Sequence, residues 1–332
     1  MDTATHALTG YVMARAGLNR GLGKWGDRAA VAAAIFPDLD LLSNLFGTEA
    51  ALRFHRSLTN SIFLLVPFSL FFAWILCRIS GIRKFRSFFG LWLGVVSVHT
   101  FQDLITSYGT MILSPFSDRR FALDWVFILD PYLASTLLIP LIISYFWRGK
   151  ALTLAKFSLG MAFLYIGFCS YNHSRALSLT GDFAREKGLR PLATAALPQP
   201  FSPFCWENYI LTGQKIYCGW VNLIGREAPQ AGGPENLGGQ IRPFDPPFSP
   251  LRYAEWERFD PSPWVASARS LNGAKTFFWF ARFPVVRDRG VINGKRRIEF
   301  IDLRFYSLGG SNHFTYVVDF DGAGKVVFQG FL

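Results

Sequence analysis

Long apolar runs before about residue 172 constrain this chain more than anything else in it, because such stretches must either cross a bilayer or be buried. Ser61 to Ile79 (SIFLLVPFSLFFAWILCRI) has one charge, at its end, and at about 1.5 Å per residue it just spans about 30 Å of hydrocarbon. Trp125 to Trp147 and Ala151 to Tyr171 come next, joined by a short basic turn with Arg148 and Lys150 into a helical hairpin. Phe88 to Tyr108 and Ala29 to Gly47 are also long enough. The first residues, MDTATHALTGYVMARAGL, lack the basic start and small-residue cleavage pattern of a signal peptide, and read as a retained amphipathic or membrane-dipping helix. The expected fold is an α-helical polytopic membrane domain of about five to six helices over residues 1–172. A mainly antiparallel β extracytoplasmic domain comes after it over 173–332, loop-rich to about residue 270 and then a β-meander.

Composition agrees with that division. The chain is 51% hydrophobic with 34 Phe and 10 Trp, and the excess is concentrated before residue 172. The net charge of +11 is unevenly placed. Arg15, Arg20, Lys24 and Arg28 surround one connection, Arg78, Arg83, Lys84 and Arg86 the next, and Arg148, Lys150 and Lys156 a third; the intervening loops hold only Arg53, Arg56, Arg119 and Arg120. The positive-inside rule makes the first set cytoplasmic and the tail extracytoplasmic, as in a bacterial inner-membrane protein. The charge is then a signal of topology and lipid headgroups, with the bilayer as partner and no nucleic-acid motif.

Six residues that hydrocarbon should reject lie in or beside the apolar runs: His6, Asp38, Asp40, His55, His99 and Asp103. An ionisable side chain at membrane depth costs at least a few kcal/mol, so it usually pairs, binds an ion or lines a polar cavity. All six are metal-ligand types, and this topology puts all six toward the outer face. His99 and Asp103 are four apart and share one helix face, as two ligands of one ion must; a buried hydrogen-bonded pair is the alternative. Pro37-Asp38-Leu39-Asp40 places carboxylates at i and i+2 beside a residue that interrupts a helix. Either a broken helix lines a cavity there, or the helix ends near Phe36 and the carboxylates cap the next segment. His55 and Arg56 precede a spanning helix, where imidazole suits zinc and guanidinium suits an oxyanion, although Arg56 as an interfacial anchor reads equally well. His6 alone is a weak signal. Asp124 and Asp130 open the fifth helix on the same side, as catalytic groups or as caps before Pro131.

The ordered set His6, Pro37-Asp38-x-Asp40, His55-Arg56-x-x-Thr59-x-Ser61, His99-x-x-x-Asp103-x-x-Thr106-Ser107-Tyr108-Gly109, Pro115-Phe116-Ser117 and Asp124-Trp125 through Asp130-Pro131 resembles a known family. It looks like the YdjM-type, LexA-regulated inner-membrane proteins classed as membrane-bound metal-dependent hydrolases. The resemblance covers roughly residues 1 to 140, and Phe300-Ile301-Asp302-Leu303-Arg304-Phe305 also looks like that family's outer domain. It implies a multi-span protein with a hydrolase label that itself rests on such His/Asp patterns. The family pattern usually reads His-Arg-Gly-x-Thr-His-Ser, whereas this chain has Ser57 and Asn60 at the glycine and second histidine positions. That departure weighs against a second metal site, or against activity itself.

The functional expectation is a membrane-embedded metal-dependent hydrolase. His6, Asp38, Asp40, His55, His99 and Asp103 would hold one or two divalent ions, zinc first and manganese or magnesium as alternatives. Activated water would attack a phosphoester or similar ester of a lipid or envelope substrate, with Arg56 on the oxyanion and Asp124 or Asp130 orienting ligands or acting as base. The alternative is a non-catalytic scaffold or pseudoenzyme with a structural His/Asp cluster. Transport is a third reading, disfavoured because the polar residues gather toward one face rather than the midplane.

In the tail, residues 190 to 265 read as extended loops, including Gly232-Gly233-Pro234 and Pro243-Phe244-Asp245-Pro246-Pro247. Lys275 to Val286, Arg297 to Tyr306, His313 to Phe320 and Lys325 to Phe328 read as strands, with turns at Asn293-Gly294 and Asp321-Gly322. His313 reads as a strand surface residue. Cys77 and Cys169 fall in spans as packing residues. Cys205 and Cys218 flank Gly213, where a disulfide is permitted if register brings them face to face.

Overall fold

The computed structural model describes residues 1–224, 253–306 and 314–332. The Gly/Pro-rich segments 232–234 and 243–247 and His313 lie outside the described residues. Contacts divide the chain into two compact units, Met1–Asn172 and His173–Leu332.

The first unit is helical. Its elements are α1 (Thr3–Met13), α2 (Gly23–Ile35), α3 (Thr48–Phe54), α4 (Leu65–Ser80), α5 (Phe85–Leu104), α6 (Pro131–Phe146) and α7 (Ala151–Glu186), the last continuing past the unit boundary. Asp2 caps α1 by accepting hydrogen bonds from the Thr5 backbone N–H at 2.9 Å and hydroxyl at 2.6 Å. Ala29, Ala30, Ala33 and Ala34 make a smooth face on α2, and Gly10 of α1 lies against it so closely that a Cβ there would sit 2.7 Å from both the Ala30 carbonyl oxygen and Ala34 Cβ. Small residues let two backbones approach where apolar side chains gain little by leaving lipid. Beyond Ile35 the chain tightens into a 3-10 helix, Phe36–Phe46, because Pro37 has no N–H to continue the α-helical ladder.

Among the described residues two helices are long and apolar enough to cross a membrane, Lys24–Phe46 and Arg148–Glu186. Thr48–Asn60 with Leu65–Ser80 makes a third if that pair, bent by 74°, is one span. The spanning set is thus smaller than the sequence suggested. The run from Ser61 to Ile79 enters its helix only at Leu65, and Trp125 to Trp147 only at Pro131, leaving α4 and α6 with 16 residues each, about 24 Å. The helix begun at Ala151 instead runs 36 residues to Glu186.

The second unit holds two four-stranded antiparallel meanders. The first is β1 (Ala193–Gln199), β2 (Ser202–Leu211), β3 (Lys215–Asn222) and β4 (Tyr253–Glu257); the second is β5 (Pro284–Ile292), β6 (Lys295–Asp302), β7 (Thr315–Phe320) and β8 (Val326–Phe331). Two helices, α8 (Pro263–Arg269) and α9 (Asn272–Phe280), precede the second sheet. The loop reading of residues 190 to 265 is therefore corrected over its described parts. Strand β2 carries no clean alternation because Trp206 to Ile210 are buried on both faces, Glu207 and Asn208 included. The strand expected from Lys275 to Val286 is corrected too: Ala274, Phe277 and Phe280 are buried at helical spacing, and the strand begins at Pro284. Asn293 and Gly294 make the β5–β6 turn with φ of 51° and 77°.

Asp302 ties the second sheet to its entry. It accepts from the backbone N–H groups of Arg282, Phe283 and Arg304 and makes a buried pair with the Arg304 guanidinium at 2.7 Å. The disulfide is corrected: all four cysteines are free. Register is the reason, since Cys218 lies opposite Tyr209 while Cys205 lies opposite Asn222. Burial pushes the Cys218 thiol well above its ordinary pKa, and the thiol donates to Glu207 at 3.0 Å.

Candidate metal centre

Four side chains from three elements converge in the first unit. His6 comes from α1, Asp38 from the 3-10 turn, and His99 and Asp103 from adjacent turns of α5. One ligand atom from each lies within 4.8 Å of the other three, and all four residues are buried. The two imidazoles stack with centroids 3.7 Å apart. Each element arrives for a local reason: Gly10, one turn beyond His6, sets how closely α1 meets α2, and the break at Pro37 turns Asp38 back toward α5.

The orientation of each residue is set from behind. His6 Nδ1 meets Gln102 Oε1 at 3.0 Å, and Gln102 in turn donates to Thr9 at 2.9 Å. An amide oxygen only accepts, so Nδ1 carries a proton, while Nε2 lies within hydrogen-bond distance of Asp103 Oδ1 at 3.2 Å. His99 Nδ1 donates to the Ala34 carbonyl at 2.7 Å, leaving Nε2 directed inward, 3.4 Å from Asp103 Oδ2 and 3.8 Å from Asp38 Oδ1. Thr3 donates to Asp38 Oδ2 at 2.6 Å. Asp103 Oδ1 pairs with Arg56 at 3.0 Å and with the amino group of Met1. His99 Nε2 and Asp103 Oδ2 are buried without a hydrogen-bond partner. Buried polar atoms are rarely left so, and two facing atoms of ligand type are what a cation would satisfy.

Asp40 and His55 are brought together with each other, outside that group of four. His55 Nδ1 meets Asp40 Oδ1 at 2.7 Å, while Asp40 Oδ2 accepts from the Arg56 backbone N–H at 2.7 Å and the Thr59 hydroxyl at 2.9 Å. This carboxylate fixes the loop that delivers Arg56, whose φ is 58°. The Arg56 side chain is buried, donates to Thr106 at 2.8 Å, lies over the Tyr108 ring at 5.1 Å, and leaves Nε without a partner. Asp130 caps α6, accepting from the N–H groups of Tyr132 and Leu133 at 2.9 Å each and from the Tyr165 hydroxyl at 2.8 Å. Asp124 is buried with φ of 58°. Asn60 is buried with neither amide atom paired. Sequence reasoning missed Gln102, Thr3 and the Ala34 carbonyl. The i, i+3 spacing of His99 and Gln102 was the only available trace of the first, and the other two leave none.

A helical membrane protein with a buried His/Asp cluster and a separate antiparallel β unit is the class these features define. The chain belongs to the YdjM inner membrane protein family, whose model matches residues 1–176. It is also similar to the uncharacterized protein YfhP of Bacillus subtilis (strain 168), with 29% identity over 144 residues, 40% of this chain and 43% of that protein. The match thus spans less than half of that relative's length. No solved structure matches.

Proposed function

We propose that this protein is a membrane-embedded metal-dependent hydrolase whose His6, Asp38, His99 and Asp103 hold one divalent cation. The observation that carries the reading is the set of supporting bonds: each ligand has one polar atom engaged from behind and another turned inward. Two imidazoles and two carboxylates suit zinc first, with manganese or magnesium as alternatives. When bound, such an ion polarises an ester oxygen and lowers the pKa of water so that it attacks near neutral pH. Gln102 and the Ala34 carbonyl engage the Nδ1 atoms, so that each histidine would offer Nε2 to the cation. Arg56 balances Asp103, and its buried, unpartnered Nε is a donor for a substrate oxyanion. Asp124 remains the candidate base, while Asp130 is engaged in capping α6. The substrate class is a phosphoester or similar ester of a lipid or envelope component, met at the extracytoplasmic side of the inner membrane with the β unit on that side.

A non-catalytic reading has its own support. Arg56 already pairs with Asp103, and Asn60 stands where the family resemblance expects histidine. Metal content separates the two. The purified full chain is expected to carry one metal ion per chain, lost in His99→Ala and Asp38→Ala; a parent protein with no stoichiometric metal rejects the hydrolase reading. With metal present, hydrolysis of a chromogenic phosphodiester abolished by Asp103→Asn distinguishes an enzyme from a pseudoenzyme.

A further inference from the structure

Two basic connections distant in sequence form one surface. Arg15, Arg20, Lys24 and Arg28 lie in the α1–α2 connection and the first turns of α2, and Arg78, Arg83, Lys84 and Arg86 in the α4–α5 connection and the helix ends that flank it. They touch: a Cβ added to Gly21 would collide with Lys84 Nζ, and Leu18, Leu22, Ile82 and Phe88 share one apolar cluster beneath. Asp27 is the one acid in these connections, held by Asn19 at 2.6 Å and lying 3.7 Å from Arg15. The other seven cations make no ion pair among the described residues, and all seven are exposed.

Packing so many like charges together is unfavourable unless a partner of opposite charge meets them. The neighbouring surface indicates which partner. Along α4, Val66, Leu70, Phe71 and Trp74 are exposed apolar side chains, Trp74 at 52%, and they lead directly to Arg78, whose guanidinium lies 5.6 Å from the Trp74 ring. Arg28 stacks on Trp25 in the same way, also at 5.6 Å, and Arg15 on Tyr11 at 6.0 Å. An aromatic and aliphatic strip ending in stacked guanidiniums matches a lipid, with acyl chains along the strip and a phosphate at the cations. Nucleic acid and acidic protein match only the charged half.

We propose that the joined α1–α2 and α4–α5 connections are a binding surface for anionic phospholipid headgroups. Arg20, Lys24, Arg83 and Lys84 meet the phosphates, and the exposed side of α4 meets the acyl chains. This does not depend on the hydrolase reading.

The test uses the full chain in nanodiscs of equimolar phosphatidylglycerol and phosphatidylcholine, with retained lipid counted by native mass spectrometry. Phosphatidylglycerol is expected to be retained preferentially. Arg20→Gln with Lys84→Gln should cut that preference by about tenfold or more, since each cation near such a surface contributes about 1 kcal/mol. The control pair Lys187→Gln with Arg190→Gln, in the second unit, should leave it unchanged. Equal retention of the two lipids by the parent overturns the proposal, as does an equal drop in both variant pairs. Displacement of phosphatidylglycerol by a single-stranded oligonucleotide overturns it in favour of a nucleic-acid partner. Should the double variant lose its helical circular dichroism, Lys84→Gln against Lys84→Arg decides: preference lost in the first and kept in the second supports the surface, and no difference between them overturns it.

Discussion

At the residue scale, the cluster of four is built less by its ligands than by what stands behind them. Gln102 is not one of the four, yet its amide oxygen engages His6 Nδ1 and orients the ring. Removing such a supporting bond typically costs 10- to 100-fold in metal affinity. Gln102→Leu is therefore expected to weaken metal binding by about one to two orders of magnitude, while His55→Ala retains stoichiometric metal; competition with a chelator reads both. In the second unit, Asp319 shows how a single charge pair enters pH dependence. Its carboxylate takes a bidentate pair of hydrogen bonds from Arg297 at 2.9 Å each, which holds its pKa below the ordinary value. A depressed folded-state pKa contributes stability that is full above the unfolded value, about 3.9, and is lost as pH falls through the folded value. Arg297→Gln should thus lower stability by about 1 kcal/mol at pH 7, and the difference from the parent should shrink below about pH 4. Thermal melts at the two pH values measure it.

At the element scale, α1 and α2 are joined by close approach rather than by large side chains. Gly10 has no room for a Cβ against the Ala30 carbonyl, so Gly10→Val must push α1 away from α2 and carry His6 from the other ligands. Overpacking of this kind costs about 1–3 kcal/mol. The expected outcome is a lower melting temperature and weakened metal binding in the same variant; unaltered metal affinity would show that α1 does not set the centre. Pro37 acts differently, by ending the α-helical ladder so that Asp38 and Asp40 leave in separate directions. Asp38 meets Thr3 and His99, whereas Asp40 meets His55 and Thr59. The six candidate residues of the sequence are sorted here into a buried group of four and a loop clamp.

At the scale of the whole molecule, the two units obey different solvents. The first leaves large apolar side chains such as Phe71, Trp74, Phe146 and Phe163 exposed, as a protein facing lipid does, and buries the His/Asp group. The second buries Trp206, Tyr209, Phe277 and Phe300 between sheets and helices in the ordinary way. The proposed topology puts the second unit outside the cytoplasm. An alkaline phosphatase reporter fused after Leu332 is expected to be active and a green fluorescent reporter dark; the opposite pattern would reverse the assignment.

The apolar runs, the ordered His/Asp pattern and the family were all legible in the linear chain, because hydropathy and spacing are local quantities. So were the Asn293-Gly294 turn and the strand that follows it. Helix ends were not: where Ser61–Leu64 and Trp125–Asp130 leave the helix is decided by packing and capping, which propensity does not record. The strands from Ala193 to Leu211 were hidden because burial on both faces erases the alternation by which a strand is recognised. The disulfide hung on register, and pairing Cys218 with Tyr209 placed the two sulfurs apart. His6 was the weakest of the six as a letter in a sequence, yet it is one of the four that converge, while the stronger Asp40 and His55 do not join them. Residue chemistry was readable from the chain. Which residues met was settled by two long-range facts: the close contact at Gly10 and the break at Pro37, whose consequences reach across helices and exist only once those helices pack.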